Sequence, residues 1–213
     1  DLPAGKLGRD FDGCGKVLYG VSGADFARAG AIQTDGNIVL LGNSANDIFV
    51  ARLRPNGMLD AKFDADGYTV IDFAGQDNGY GIALHTDGTI LGVGSTGNND
   101  FAVARLKANG SLDTTFNTNG KSTLDFGESA RAAVIQTDGF VVVAGDDSKD
   151  FSIARLASNG TLDTGFNSSG HSAVDFVGSK DAATALVIQS NGEVCAAGVA
   201  NEDFGITCLG NSR

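Results

Sequence analysis

Four acidic residues recur at one offset along this sequence, and their carboxylates could together bind a cation. Each lies eight residues before another recurring polar position, at Gln33, His85, Gln136 and Gln189; the acids are Asp25, Asp77, Glu128 and Asp181. Carboxylate oxygens suit calcium, and carboxylates that crowd together raise one another's pKa. We therefore predict a metal site, with calcium as the cofactor, where the four loops meet. The alternative is that each acid hydrogen-bonds within its own turn.

A second polar set lies three residues after each acid, and its members differ along the chain: Arg28, Tyr80, Arg131 and Thr184. Positions that serve a repeated framework stay the same, so a binding site is expected where the copies differ. We predict that this set lines a ligand-binding pocket together with the acids. His85 is the one histidine among the recurring polar residues, and it is a further candidate for ligand binding.

The sequence contains no recognisable catalytic motif. It lacks G-x-S-x-G, and its two histidines do not support a catalytic triad. No cluster of cysteine and histidine has the spacing of a zinc site. We therefore nominate no catalytic residue. The acidic set still leaves open a hydrolase or lyase that would use carboxylates for acid–base catalysis.

All of these positions are held in register by an internal repeat. Arg-Leu pairs begin at Arg52, Arg105 and Arg155, in steps of 53 and 50 residues, and Cys208-Leu209 is a degenerate fourth copy. Apolar segments such as AVIQT and FVVVAG flank an Asp-Gly turn, and the repeat contains two further strand-like segments. No stretch keeps a helical period, so each copy is predicted to consist of four short strands.

Four strands in a unit of this length indicate a β-propeller blade. The sequence begins with the outermost strand of a blade, at residues 15–21, and ends with a third strand, at residues 203–209. We therefore predict an all-β fold, a four-bladed β-propeller with four antiparallel strands per blade, as a single domain of residues 1–213. The blades span about 22–73, 74–126, 127–176, and 177–213 plus 1–21.

In this arrangement the N-terminal strand closes the last blade, because an unpaired strand edge invites aggregation. Cys208 lies at the end of a third strand and Cys14 just before the outermost strand, so a Cys14–Cys208 disulfide would link the two parts of the split blade. Cys195 is expected to be a small core residue. We predict a monomer, and a dimeric ring of eight blades is the alternative.

Charge and composition exclude some partners. The net charge is −11, from 15 basic and 26 acidic residues. Such a field repels phosphate backbones, so nucleic acid is not an expected partner. No apolar run approaches the roughly 18 residues that a membrane span needs. A disulfide would indicate an oxidising compartment.

The segments DFAVARLKANGSLDTTFNTNG and IQTDGFVVVAG resemble the delta-60 repeat family of bacteria, and the resemblance covers essentially the whole chain. It implies a propeller-like architecture and a secreted, periplasmic or cell-surface location, but no single activity. We therefore predict a binding module that recognises a glycan, a peptide or another partner at the mouth of the propeller channel. A structural repeat domain of a larger surface protein is the first alternative, and the carboxylate-dependent enzyme is the second.

Overall fold

The computed structural model describes residues 7–8, 10–178 and 180–210. Within these ranges the chain forms β-strands, turns and loops, and no helix long and apolar enough to cross a membrane is found among them. The strands are short, and all of their pairings are antiparallel. An all-β fold is therefore confirmed.

The strands form four successive sheets in chain order. The first sheet contains β1 (Asp25–Ile32), β2 (Ile38–Ser44), β3 (Asp47–Leu53) and β4 (Tyr68–Ile71). The second contains β5 (Asn78–Leu84), β6 (Ile90–Ser95), β7 (Phe101–Leu106) and β8 (Lys121–Leu124). The third contains β9 (Ser129–Ile135), β10 (Val141–Asp146), β11 (Phe151–Leu156) and β12 (His171–Val174). The last contains β13 (Ala182–Ile188), β14 (Val194–Ala200) and β15 (Asp203–Leu209).

The hydrophobic core consists of the joints between neighbouring sheets. Val39 and Leu41 of the first sheet pack against Ala102 and Leu106 of the second. Two equivalent clusters join the second sheet to the third and the third to the last. The strands read as nearly continuous apolar runs because both faces of an inner sheet are covered by a neighbour.

An ion pair recurs in the three complete sheets, and in the first two its arginine also reaches across the joint to the next sheet. Arg52 Nε donates to Asp60 Oδ2 at 2.9 Å, and its Nη1 donates to the carbonyl of Ala108 in the turn after β7. Arg105–Asp113 and Arg155–Asp163 repeat the pair at 2.8 and 2.6 Å. An arginine fork suits this task because it binds a carboxylate and a carbonyl at once. We call these three pairs the arginine framework.

The predicted closure of the last blade by the N-terminal strand is wrong for the described residues. β15 has no fourth strand beside it, and residues 16–20 form no strand. Residues 17–21 instead lie against the outward face of the first sheet, near Leu40, Phe49 and Leu53. That face is the one that each later sheet turns toward its predecessor. The number of blades in a closed ring stays a prediction.

The predicted Cys14–Cys208 disulfide is also wrong. Cys195 is bonded to Cys208, and Cys14 is free and exposed. The pairing of β14 with β15 places Cys195 directly opposite Cys208, with 4.0 Å between their Cα atoms. The disulfide is thus a cross-strand link within the last sheet, and Cys195 is not an inert core residue.

Candidate functional site

The four variable polar residues occupy one special backbone position. In each sheet the pairing of the innermost strand with its neighbour shifts register by one residue, at Ala27/Ala29, Gly79/Gly81, Ala130/Ala132 and Ala183/Ala185. The extra residue of each β-bulge is Arg28, Tyr80, Arg131 or Thr184. Bulges re-aim a side chain and are frequent beside functional sites. We call these four residues the bulge row.

One glycine on the neighbouring strand makes each bulge possible. A Cβ atom on Gly42 would lie 1.7 Å from the carbonyl oxygen of Phe26, and one on Gly94 would lie 1.8 Å from that of Asn78. In the third and last sheets, a Cβ atom on Gly145 or Gly198 would meet a carbonyl oxygen of the innermost strand in the same way. The bulged backbone fills the space that a side chain would need, so only glycine fits at this position.

Three members of the bulge row come together at one aromatic ring. The guanidinium carbon of Arg28 lies 5.2 Å from the centre of the Tyr80 ring, and that of Arg131 lies 5.5 Å from it. These distances are within the range of cation–π attraction. Three neighbouring sheets therefore place two positive charges around one tyrosine. Thr184 is exposed, and its hydroxyl lies 3.5 Å from the Ala197 carbonyl oxygen.

In the first and third sheets, the residue directly after the bulge glycine supports the arginine. Arg28 Nε donates to Asn43 Oδ1 at 3.1 Å, and Arg131 Nε donates to Asp146 Oδ1 at 3.0 Å. Among the described residues, no further hydrogen bond is found for the terminal nitrogens of Arg28 or Arg131. Each guanidinium group is thus fixed through its Nε atom, and its terminal nitrogens remain available to a ligand.

Lys180 extends this network to Glu128. Its Nζ donates to Glu128 Oε2 at 2.7 Å and lies 3.3 Å from Asp146 Oδ2. The hydrogen bond to Glu128, together with the pairing to Asp146, raises the pKa of Lys180 despite its partial burial. Asp146 is fully buried, and it is neutralised by Arg131 on one side and Lys180 on the other.

The other predicted acids accept hydrogen bonds from backbone N–H groups of the surrounding loops. Asp77 accepts from Phe73 N–H at 2.5 Å and from Gly97 N–H at 3.0 Å, and Asp181 makes the same pair of bonds with Phe176 and Asn201. Asp25 accepts from Val21 N–H at 2.7 Å. A hydrogen bond with Ser44, aided by that of Val21, lowers the pKa of Asp25. The bonds from Val21, Phe73 and Phe176 are of the kind expected for turn-forming acids, whereas those from Gly97 and Asn201 join each acid to a second loop.

Carboxylates also cluster at two joints, although in another combination than the predicted one. The oxygens of Asp47, Asp72 and Asp77 lie within 4.8 Å of one another, and so do those of Asp150, Asp175 and Asp181. Burial and then the neighbouring carboxylates raise the pKa of Asp47 and Asp150. Such oxygens could hold a metal ion. Calcium binding to Asp25, Asp77, Glu128 and Asp181 stays a prediction.

His85 belongs to a turn outside this network. Its Nδ1 lies 2.9 Å from Asp87 Oδ1 within the turn between β5 and β6. Burial alone would raise the pKa of Asp87, but hydrogen bonds from Thr89 and His85 lower it to about 2. His85 therefore has a local partner, and its predicted role in ligand binding remains untested.

The sequence reasoning missed Asn43, Asp146 and Lys180. Asn43 and Asp146 each follow a glycine that recurs near the end of the second strand, at Gly42, Gly94, Gly145 and Gly198. A repeated glycine inside a strand signals a bulge or a close backbone approach. That signal could have identified the supporting position. Lys180 lies beside a repeated acid but has no counterpart in the other copies, so no pattern pointed to it.

Three segments match a family model described as a domain of unknown function (DUF5122) beta-propeller, at residues 33–63, 85–116 and 136–166. The match supports a β-propeller repeat family, and the specific delta-60 name stays a prediction. No curated protein matches the sequence.

Several solved structures have a similar fold. A protein of unknown function from Bacteroides caccae is 14% identical with a TM-score of 0.58, over 92% of this chain and 61% of its own. The NanB sialidase from Streptococcus pneumoniae is 9% identical with a TM-score of 0.57, over 90% and 32%. A gluconolactonase from Xanthomonas campestris is 12% identical with a TM-score of 0.48, over 92% and 62%.

This chain thus spans less than two thirds of the length of each of these structures. At such low identity the two with the higher TM-scores show the fold alone. The repeat, the four stacked sheets and the matched segments agree with one another. The described residues thus form an all-β, propeller-like fold, and three of the repeated segments match a β-propeller family model.

Proposed function

We propose that this chain is a secreted or cell-surface binding module that recognises a carboxylate-bearing glycan at the bulge row. The observation that carries the proposal is the pair of guanidinium groups, from Arg28 and Arg131, held around Tyr80. An arginine fork binds a carboxylate with two parallel hydrogen bonds, and a tyrosine offers an amphipathic surface to a sugar.

The local charge supports an anionic ligand although the chain as a whole is acidic. Arg28 pairs with the neutral Asn43, so its positive charge is not cancelled by its support. Arg131 and Lys180 share the buried Asp146, and Lys180 also meets Glu128. The side of the row at Arg28 is therefore the most cationic part, and it is where we expect the carboxylate to bind.

The location is supported by the disulfide. The Cys195–Cys208 bond is compatible with an extracellular setting, because disulfides persist in oxidising compartments. Glycans that carry uronic acids are abundant outside cells, so the proposed ligand class and the proposed location agree.

The direct test compares an oligogalacturonide with its methyl ester, by isothermal titration calorimetry and by thermal shift. Esterification removes the carboxylate charge and keeps the sugar, so the acid should bind and the ester should not. At a hundredfold excess over Kd, a ligand of the folded state stabilises it by about 2.7 kcal/mol. Arg28→Ala should weaken binding by about tenfold or more, since a hydrogen bond to a charged group contributes about 1.5–3 kcal/mol.

Lys62→Ala is the matched control, because Lys62 is an exposed cation away from the bulge row. It should bind like the unmodified chain. Equal binding of acid and ester, or equal losses in Arg28→Ala and Lys62→Ala, would overturn the proposal. Binding of a carboxylate-terminated peptide but of neither glycan would replace it with a peptide site.

A further inference from the structure

The N-terminal residues contact the first sheet in the way that one sheet contacts the next. The Asp12 N–H donates to the Asn56 carbonyl at 2.7 Å; Asp64 and Asn117 make the same bond to Asn109 and Asn159. A Cβ atom on Gly57 would lie 3.1 Å from the Phe11 ring, and one on Gly110 would lie 2.8 Å from the Phe63 ring. Residues 10–21 therefore occupy the place that the outer part of a preceding sheet would take.

The backbone conformation of this segment supports the same equivalence. Asp12 has a φ of 47°, and the matching residues Asp64, Asn117 and Asn167 have φ values of 47°, 45° and 47°. The next residue in each copy is again left-handed. In the three complete sheets, this turn leads directly into the fourth strand. Residues 16–19 are thus positioned as the fourth strand of a preceding sheet would be.

The last sheet has an unpaired strand edge and an exposed apolar face, which a fourth strand and a neighbouring sheet would cover. Phe204 is 85% exposed and Ile206 is 58% exposed, whereas Phe101 and Phe151, at the position of Phe204, are completely buried. The edge of β15 is unpaired among the described residues, while β3, β7 and β11 each pair with a fourth strand. An unpaired edge beside exposed apolar side chains is a template for another chain.

We propose that a second copy of this chain completes the last sheet. Residues 16–19 of one copy pair with β15 of the other, and the far face of the last sheet packs on the outward face of the first sheet. The register follows from β7 and β8, in which Phe101 lies opposite Leu124 and Val103 opposite Ser122. By repeat alignment, Phe204 lies opposite Tyr19 and Ile206 opposite Val17.

Each copy gives one strand and accepts one strand, so two copies form a ring of eight sheets. Such a head-to-tail contact either closes into a ring or continues as a filament. Eight blades lie within the range of closed propellers. The contact continues an interface that already occurs three times in the chain, at the three joints between sheets. The inference is independent of the proposed ligand.

Size-exclusion chromatography with light scattering of the 213-residue chain, without reductant, tests the association. The expected mass is that of two chains, and it falls to one chain on dilution. Ile206→Glu should give the mass of one chain, because it places a charge opposite Val17. Val70→Glu is the matched control: its equivalents, Thr123 and Ala173, remain exposed in sheets that have neighbours.

A cysteine pair distinguishes exchange between copies from closure within one chain. In a Cys14→Ser background, Val17→Cys with Ile206→Cys should yield a two-chain band on a non-reducing gel. A crosslink within single chains would overturn the proposal, as would a one-chain mass at every concentration. An unchanged two-chain mass for Ile206→Glu, with its β-sheet spectrum retained, would overturn the register.

Discussion

The arginine framework and the bulge row lie in the same sheets but follow opposite rules. Arg52, Arg105 and Arg155 make the same ion pair in three sheets, and Arg52 and Arg105 also reach the carbonyl of a turn in the next sheet. The bulge row has arginine, tyrosine, arginine and threonine at one equivalent position. The framework is largely buried, whereas Arg28 and Thr184 are exposed.

The difference separates two tasks within one repeat. Removing one partner of a buried ion pair leaves an uncompensated charge in the interior, so a framework arginine cannot be lost alone without loss of stability. The residue at the bulge differs from sheet to sheet, and in our proposal it determines what is bound. The same residue type, arginine, therefore serves stability at Arg52 and is proposed to serve recognition at Arg28. The following predictions test this division, beginning with the largest expected effect.

Arg52→Ala should lower the free energy of unfolding by about 3–5 kcal/mol, because it removes the nearest cation from the buried Asp60 and leaves only Arg54, whose Nε lies 3.5 Å away. Burial raises the pKa of Asp60, but hydrogen bonds from Lys62 and Arg52 lower it further than burial raises it. Urea denaturation measures the loss. The control Arg28→Ala should lose only about 0.5 kcal/mol, as an exposed substitution. Equal losses for the two variants would remove the distinction between framework and row.

Gly94→Ala should destabilise the chain by about 1–3 kcal/mol, since the added methyl group meets the Asn78 carbonyl and forces the backbone to shift. It should also displace Tyr80 from the arginines. Thermal unfolding and tyrosine fluorescence report the two effects. Gly165→Ala is the control, because there the new Cβ would meet only the side chain of Asp163, at 3.1 Å. A stable Gly94→Ala chain would show that the bulge is dispensable.

Arg131→Lys should weaken binding of the oligogalacturonide by about tenfold with little change in melting temperature. Lysine keeps the charge and loses the planar fork that binds a carboxylate with two hydrogen bonds. Calorimetry and thermal unfolding without ligand separate the two effects. A loss of stability equal to that of Arg52→Ala would assign Arg131 to the framework.

His171 should make stability decrease slightly as the pH falls below about 6.5, the usual value for histidine. It stacks on Phe126 at 4.2 Å and contacts Ser152 Oγ at 2.9 Å, and burial lowers its pKa although Asp147 opposes the shift. The unfolded chain therefore takes up the proton first, and stability is lost between 6.5 and the lower folded pKa. His171→Gln should reduce this dependence between pH 7.5 and 5.5, and the two chains should behave alike between pH 8 and 9.

The repeat made most of the fold predictable. The turns and apolar runs give the strands of the three complete sheets, because period and turn chemistry are local properties of the sequence. Arg28, Tyr80 and Arg131 come together because equivalent positions in stacked sheets lie side by side, and the ligand-binding pocket expected there stays a prediction.

The failures concern contacts that depend on register or on exchange between distant segments. The Cys195–Cys208 bond depends on how β14 aligns with β15, which cysteine spacing alone does not specify. The bulges were missed because an extra residue is visible only against its partner strand. Residues 15–21 could pack on the first sheet or pair with β15. The sequence does not decide between the two, because both contacts occur at every joint of the repeat.

The glycine opposite each bulge also makes the protein adaptable. Gly42, Gly94, Gly145 and Gly198 leave room for the bulged backbone whatever side chain the bulge carries, although a change at Arg131 must also satisfy the buried Asp146. One substitution per sheet could then alter the chemistry of the row step by step, in a library or in evolution. The repeat thus provides a scaffold in which the residues of the bulge row can change while the fold is retained.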